Sequence, residues 1–230
     1  LTDTARELAG RVRGQFKELA CFREAEGGAT PSFGIGASHS LLEWWLWPRL
    51  EALTRALPAG SRIRTTVMRS AELLQAVEEH ALDFALVRAD AVVRGLRSKP
   101  LVLLSYALFV PRSLVPPKST GKGIFAHLPL ALATGGQFRA LIEASAARAG
   151  VELDIRLECP SFTLAARAVA SGVYAGVLPD MAAVAFRNLP VTQLALPLPG
   201  IPPRPVVLAW HPRTPESRLK SMLGAFEVAK

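Results

Sequence analysis

Residues 162–179 read FTLAARAVASGVYAGVLP, and this stretch decides the fold class. We predict a helix over residues 162–171 and a strand over residues 174–178, which ends before Pro179. A helical segment that leads directly into a short apolar run is typical of chains that alternate helices with buried strands. The stretch therefore reads as one unit of an α/β fold.

The same alternation runs along the chain in two successive series. The first predicts strands at 32–37, 63–68, 83–87 and 101–110, with helices at 38–57 and 71–80. The second predicts strands at 128–133, 152–158, 174–178, 191–196 and 206–210, with helices at 136–149, 162–171 and 216–228. Alternation of this kind favours parallel sheets with right-handed crossovers. Two successive series favour two similar lobes with a cleft between them.

The first 23 residues predict an amphipathic helix, followed by a stop at Gly27 and Gly28. Its apolar residues recur at steps of three or four, with charged residues between them: Ala5, Leu8, Val12, Phe16 and Leu19 or Ala20. Such a stripe either packs on its own domain or pairs with a second copy of the helix. Charges occur throughout residues 1–26 without a continuous apolar stretch, so we expect no secretory signal peptide.

Composition narrows the class of protein. Of the 230 residues, 50% are hydrophobic and 20% are charged, which is typical of a globular chain. The apolar stretches are strand-sized, so we expect no membrane span. Cys21 and Cys159 suggest neither a disulfide framework nor a metal site. The net charge is +8, but the basic residues are scattered, so a direct DNA-binding surface is not expected.

Sequence motifs for catalysis are absent. The chain has no Gly-x-Ser-x-Gly, His-Glu-x-x-His or Cys-x-x-Cys pattern. Gly34 and Gly36 lack the third glycine of a dinucleotide-binding loop, because that position is His39. The four histidines lie far apart, and none has a carboxylate or cysteine at ligand spacing. We therefore expect no catalytic residues, no metal and no cofactor.

Binding residues are better indicated than catalytic ones. Ligands of α/β proteins bind at the carboxyl ends of strands, next to helix N-termini whose free N–H groups attract anions. Small hydroxyl and glycine residues at these junctions let a carboxylate approach the backbone, and arginine adds a charge-assisted bond. Each such residue alone can be an ordinary helix cap, but their recurrence in both lobes favours a ligand site. The candidates are Ser38, His39, Arg69, Arg88, Thr134, Gly135, Gln137 and Phe162.

Three motifs in this order resemble the effector-binding domain of LysR-type transcriptional regulators. The first is the strand FGIGA at 33–37, followed by a helix that ends in Pro48-Arg49-Leu50. The second is ELLQAVEEHALDFALV at 72–87, in which His80-Ala81 replaces a glycine-containing turn. The third and most specific is VASGVYAGVLP at 169–179. The resemblance covers roughly residues 31–212.

This resemblance implies two Rossmann-like lobes of the type 2 periplasmic-binding-protein kind. Lobe I would comprise residues 31–108 and 203–230 and lobe II residues 109–202, with crossovers near 105–110 and 205–210. A small-molecule effector, which the cationic rim suggests is anionic, would bind in the cleft. Its contacts, carried over by position, would be Ser38, His39, Arg69, Thr134, Gly135, Gln137 and Phe162.

The resemblance also implies an assembly and a location. Residues 1–28 would be the linker helix that pairs two subunits, through Leu8, Val12, Phe16 and Leu19, in a homodimer or homotetramer. DNA would be bound only through a winged helix-turn-helix that these residues do not contain. The protein would be cytoplasmic and without membrane contact.

Two other classes of protein share this bilobal fold. A solute-binding protein of a transporter would carry a signal peptide or lipidation cysteine, and the charged first helix argues against it. An enzyme would need an activated acid or nucleophile in the cleft, for which Asp90 and Glu158 are the candidates.

Overall fold

The computed structural model describes residues 2–27, 29–115, 121–134 and 137–227. The chain divides into two compact units, of which unit 1 comprises Leu1–Val102 with Pro205–Lys230, and unit 2 comprises Leu103–Arg204. Among the residues that are described, no helix is long and apolar enough to cross a membrane.

Unit 1 is built on a five-stranded sheet, whose strands lie in the order β2 (Arg62–Val67), β1 (Ser32–Ala37), β3 (Phe84–Arg88), β10 (Arg204–Trp210) and β4 (Arg97–Leu104). β1 is parallel to β2 and β3, while β10 is antiparallel to β3. Its elements are α1 (Asp3–Ala25), β1 (Ser32–Ala37), α2 (His39–Leu41), α3 (Leu50–Ala56), β2 (Arg62–Val67), α4 (Ser70–Glu78), β3 (Phe84–Arg88), β4 (Arg97–Leu104), β10 (Arg204–Trp210) and α7 (Glu216–Glu227). Leu73, Leu74 and Val77 of α4 pack on the buried residues of β3 and β10.

Unit 2 contains a three-stranded sheet and a two-stranded sheet. In the first, β5 (Tyr106–Pro111) lies between β8 (Gly176–Pro179) and β9 (Val191–Ala195) and is antiparallel to both. In the second, β6 (Leu130–Ala133) and β7 (Ile155–Cys159) are parallel. A bridge from Leu130 to Ala175 joins β6 to the segment before β8. The elements are β5 (Tyr106–Pro111), β6 (Leu130–Ala133), α5 (Gln137–Ala149), β7 (Ile155–Cys159), α6 (Phe162–Ala170), β8 (Gly176–Pro179) and β9 (Val191–Ala195).

The strand predicted over 101–110 is wrong, because the structure contains two strands there. β4 ends at Leu104 and β5 begins at Tyr106, and they belong to different sheets. Between them, the carbonyl of Ser105 accepts a hydrogen bond from the Asp180 N–H at 3.0 Å. The prediction of parallel sheets is also only partly right, since β10 and the strands around β5 are antiparallel.

The helix predicted over 38–57 is not a continuous α-helix. α2 passes into a π-helical turn over Leu42–Leu46 and a 3₁₀ turn over Trp47–Arg49 before α3 begins. Pro48 has no N–H to donate, and its ring crowds the carbonyl four residues earlier, at Trp44. A change in the hydrogen-bond pattern around residue 48 relieves this conflict.

Helix α1 packs on unit 1 through glycines. A Cβ added to Gly10 would lie 3.7 Å from the Glu79 Cα, and one added to Gly14 would lie 3.0 Å from the His80 ring. His80 itself has a φ of +57°, which turns the chain after α4 toward α1. The two glycines therefore let the backbone of α1 approach the end of α4 closely.

Charged side chains hold α1 in this position. Arg13 donates to the carbonyl and to the carboxylate of Glu79 at 2.9 and 2.8 Å, and Lys17 pairs with Asp83 at 2.8 Å. Glu24 pairs with Arg218 of α7 at 2.5 Å. Arg218 also pairs with Asp83 at 3.1 Å and donates to the carbonyl of Ser32. Arg218 and Asp83 are only 7% and 6% exposed, so their pair is buried, whereas Arg13 and Lys17 are partly exposed.

The apolar stripe of α1 faces solvent. Its members are exposed large hydrophobic side chains, namely Leu8, Val12, Phe16, Leu19 and Phe22. The helix thus does pack on its own domain, but through the face opposite to the stripe.

Candidate functional site

The predicted residues of unit 1 lie along one edge of its sheet. β1 runs between β2 and β3 in parallel, with Ala37 opposite Val67 on one side and Leu86 on the other. The carboxyl ends of the three strands therefore meet at the same edge. Ser38, Arg69 and Arg88 follow or end these strands and are brought together there.

Ser38 and His39 open the helical segment after β1. Ser38 is the N-cap of α2, where its Oγ accepts a hydrogen bond from the Leu41 N–H at 3.4 Å and lies 3.3 Å from the Ser40 Oγ. His39 is the first helical residue and is exposed. The Ser38 hydroxyl thus already has a structural role as a cap.

Two arginines give this edge a positive charge. The backbone N–H of Arg69 donates to the Glu72 carboxylate at 3.2 Å, which caps the start of α4, and the Arg69 side chain is exposed. Arg88 is half-buried, and its Nε lies 3.1 Å from Asp90 Oδ1. Arg69 therefore presents its charge to solvent, whereas part of the Arg88 charge is balanced locally.

The predicted residues of unit 2 likewise share one sheet edge. β6 and β7 are parallel, with Ala133 opposite Cys159, so Thr134 and Ser161 follow neighbouring strand ends. The Thr134 hydroxyl donates to the Cys159 carbonyl at 3.1 Å, and the Ser161 hydroxyl caps α6 by accepting from the Leu164 N–H at 3.2 Å. Gln137 is exposed at the start of α5. Gly135 lies outside the described residues.

An aromatic cluster lies beside this edge. Phe162, the first residue of α6, packs on Phe138 with ring centroids 4.7 Å apart, and Phe138 packs on Tyr106 at 4.7 Å. Tyr106 was missed by the sequence analysis, because it stood inside the single strand predicted over 101–110. Phe138 is buried, whereas Tyr106 and Phe162 are half-buried. Half-buried aromatic side chains next to helix N-termini can hold the apolar part of a ligand whose charged group meets the backbone N–H groups.

Asp180 is a second residue that the sequence analysis missed. It follows β8, where Pro179 lies opposite Tyr106, and its Oδ1 accepts from the Met181 N–H at 2.8 Å. Burial raises the pKa of its carboxyl above the ordinary value, although hydrogen bonds from backbone N–H groups oppose the shift. Its place directly after Leu178 and Pro179, at a strand end, is the signal that could have found it.

The two candidate catalytic acids are both ion-paired and exposed. Asp90 pairs with Arg88, and Glu158 pairs with Arg139, which also pairs with Glu143 at 2.7 Å. Within the described residues there is no group of three or more histidine, cysteine or acidic side chains that could hold a metal ion. The arrangement therefore offers hydrogen-bond donors and positive charge to a ligand, and no activated acid or nucleophile at these two positions.

A sequence profile of the LysR substrate binding domain matches residues 26–226 of the chain. A comparison with curated proteins gives no match.

Solved structures of LysR regulators have the same fold. CbnR, a LysR family transcriptional regulator, is similar with a TM-score of 0.71 and 15% identity over 100% of this chain and 82% of its own. The reduced form of OxyR from N. meningitidis gives a TM-score of 0.66 and 20% identity over 87% of this chain and 96% of its own. The cofactor-binding domain of the Cbl transcriptional regulator gives a TM-score of 0.69 and 16% identity over 86% of this chain and 88% of its own.

Proposed function

The chain belongs to the family of LysR substrate binding domains, and on that basis we propose that it senses a small anionic effector for a LysR-type transcription regulator. The family match favours this function over that of a transporter's solute-binding protein. In this proposal the chain catalyses no reaction and works in the cytoplasm. In this proposal the regulator contacts DNA only through a winged helix-turn-helix that is not among these 230 residues.

One observation supports the proposal that the effector is an anion. The strand ends of each unit bring hydroxyl groups and helix N-termini to a single sheet edge, and in unit 1 the exposed guanidinium of Arg69 lies at that edge. Backbone N–H groups and a guanidinium both stabilise a carboxylate or another oxyanion. In unit 2, the aromatic side chains beside the edge suit an anion that also has an apolar part.

A thermal-shift screen against small organic and inorganic anions tests this proposal. A ligand at about one hundred times its Kd stabilises the folded state by roughly 2.7 kcal/mol, which raises the Tm of a chain of this size by about 5 to 10 °C. A panel of neutral compounds of similar size is the control. Stabilisation by neutral compounds alone, or by no compound, would contradict an anion sensor.

Arg69→Gln locates the site. Loss of a charge-assisted hydrogen bond weakens anion binding about tenfold or more, while the bond from residue 69 N–H to Glu72 stays in place. Arg62→Gln is the matched control, because Arg62 is exposed at the opposite end of the same strand, β2. Equal affinities of the two variants, measured by calorimetry, would remove Arg69 from the site.

We also propose that the exposed stripe of Leu8, Val12, Phe16 and Leu19 pairs two subunits. Leu8, Phe16 and Leu19 are each more than 60% exposed, and Phe22 extends the stripe by one more turn. Apolar residues at steps of four and three on one helix face suit pairing with a second helix.

A further inference from the structure

A groove of about 1000 Å³ lies between α1 and the body of unit 1. One wall is formed by α1 through Gly10, Arg11 and Gly14. The other wall is formed by the end of α4 and by the segment after β10, which contribute His80 and His211. The effector residues proposed above are not part of this lining.

Two histidines meet at the floor of the groove. The rings of His80 and His211 have centroids 4.1 Å apart and are tilted by 53°. The His80 ring also lies against the backbone of α1, because a Cβ on Gly14 would be 3.0 Å from its Cδ2 and Nε2. The contact between α1 and unit 1 is thus made in part by the His80 imidazole, which packs on that of His211.

The hydrogen bonds of this pair suit neutral imidazole. The Nδ1 of His211 accepts a hydrogen bond from the Arg213 N–H at 3.2 Å, and protonation of this nitrogen would remove the acceptor. At a separation of about 4 Å, two protonated rings would also repel each other.

The charges around the pair are mixed. Lys17 and Arg213 disfavour a further positive charge on either ring, and Glu18 favours one on His80. Arg13 is paired with Glu79 and Lys17 with Asp83, so part of each of these charges is balanced. The other charged residues of the lining are Arg11 and Glu78.

We propose that His80 and His211 form a pH-dependent latch, which holds α1 on unit 1 while both rings are neutral and releases it when they are protonated. Burial lowers the pKa of both histidines below the ordinary value of 6.5, and neighbouring positive charges lower it further. The undocked state therefore binds protons more readily than the docked state. The docking is strongest above pH 6.5 and weakens as the pH falls below it.

Hydrogen exchange measured by mass spectrometry between pH 7.5 and 5.0, corrected for intrinsic rates, tests the latch. The readout is the protection of α1 and of residues 76–82, against which it lies. We expect this protection to fall about tenfold over the range, since undocking exposes both segments. Constant protection over the range would overturn the proposal.

The double substitution His80→Asn and His211→Asn removes the titration. Asparagine tolerates the positive φ at position 80, and its Oδ1 can accept the hydrogen bond from Arg213 N–H at position 211. We expect protection in this variant to change less than threefold with pH. His127→Asn is the matched control, because His127 is exposed in unit 2. In this variant the protection should change with pH as it does in the unmodified protein. If the protection of the double variant still fell about tenfold between pH 7.5 and 5.0, the latch would be overturned.

Gly14→Leu supplies an independent check at neutral pH. The leucine side chain would collide with the His80 ring and separate α1 from unit 1. Because leucine favours the helical conformation, α1 itself should remain helical. We expect residues 76–82 to show at pH 7.5 the low protection that the unmodified protein reaches at pH 5.0. Normal protection in this variant would show that α1 does not cover them.

Discussion

Helices α1 and α6 are attached to the protein in opposite ways. α6 buries Ala165, Ala166 and Val169 against the sheets of unit 2 and caps its start with Ser161. α1 leaves its large apolar residues in solvent and presents glycines and charged side chains to unit 1. The hydrophobic effect therefore explains the position of α6 but not that of α1. We therefore expect the contact between α1 and unit 1 to depend on ionic conditions, and the apolar face of α1 is exposed.

The largest expected effect is at the buried arginine that joins α1 to the sheet. Arg218→Met removes one of the two cationic partners of the buried Asp83, which keeps Lys17, and it removes the arginine partner of Glu24. Loss of one member of a buried pair costs about 3 to 5 kcal/mol of the free energy of unfolding, measured by urea denaturation. Arg55→Met is the control, because its pair with Glu51 is almost fully exposed, and it should cost less than about 0.5 kcal/mol.

An intermediate effect is expected on the stripe of α1. Phe16→Glu introduces a charge on the face proposed to pair two subunits, and should raise the dissociation constant of the dimer at least about tenfold, or 1.4 kcal/mol. Sedimentation velocity measures this change. Leu164→Glu is the matched control, since Leu164 is an exposed apolar residue of α6. If both substitutions weaken the dimer equally, or neither does, the stripe is not the dimer contact.

The smallest expected effect is that of salt. The Debye length falls from about 14 Å at 0.05 M NaCl to about 4 Å at 0.5 M, which weakens the partly exposed pairs of Arg13 and Lys17. Hydrogen-exchange protection of residues 76–82 should fall about threefold, while that of α6 in the same sample stays constant. Equal responses of the two regions would show that α1 is not held by charge.

The order of elements could be read from the sequence because each has its own local pattern. The alternation in 162–179 corresponds to α6 and β8, and the segment 72–87 to α4 and β3. The division at Ser105 could not be read, because apolar residues flank it on both sides. Only the pairing of β4 and β5 with different sheets reveals it. Pro48 was visible in the sequence, but the π-helical turn that precedes it was not predicted.

As with the fold, part of the candidate site could be predicted from the sequence and part could not. Residues at strand-to-helix junctions were found because their place follows from the alternation alone. Tyr106 and Asp180 were missed because their neighbourhood depends on antiparallel pairing between β5 and β8. The contacts of α1 with unit 1 could not be predicted from the sequence either, since Arg13, Lys17 and Glu24 resemble the charged residues on the solvent face of any amphipathic helix. Their partners Glu79, Asp83 and Arg218 lie 66 or more positions away in sequence.

The length of α1 makes it a lever. Its 23 residues extend for about 34 Å at 1.5 Å per residue. Among the side chains that the structure describes, its contacts with the rest of unit 1 include those from Gly10 to Glu24. A tilt of about 10° about the carboxyl end displaces the amino end sideways by about 6 Å, which is slightly more than the rise of about 5.4 Å in one helical turn. Any domain joined to the amino end is thereby displaced further than the helix moves at its contacts with unit 1.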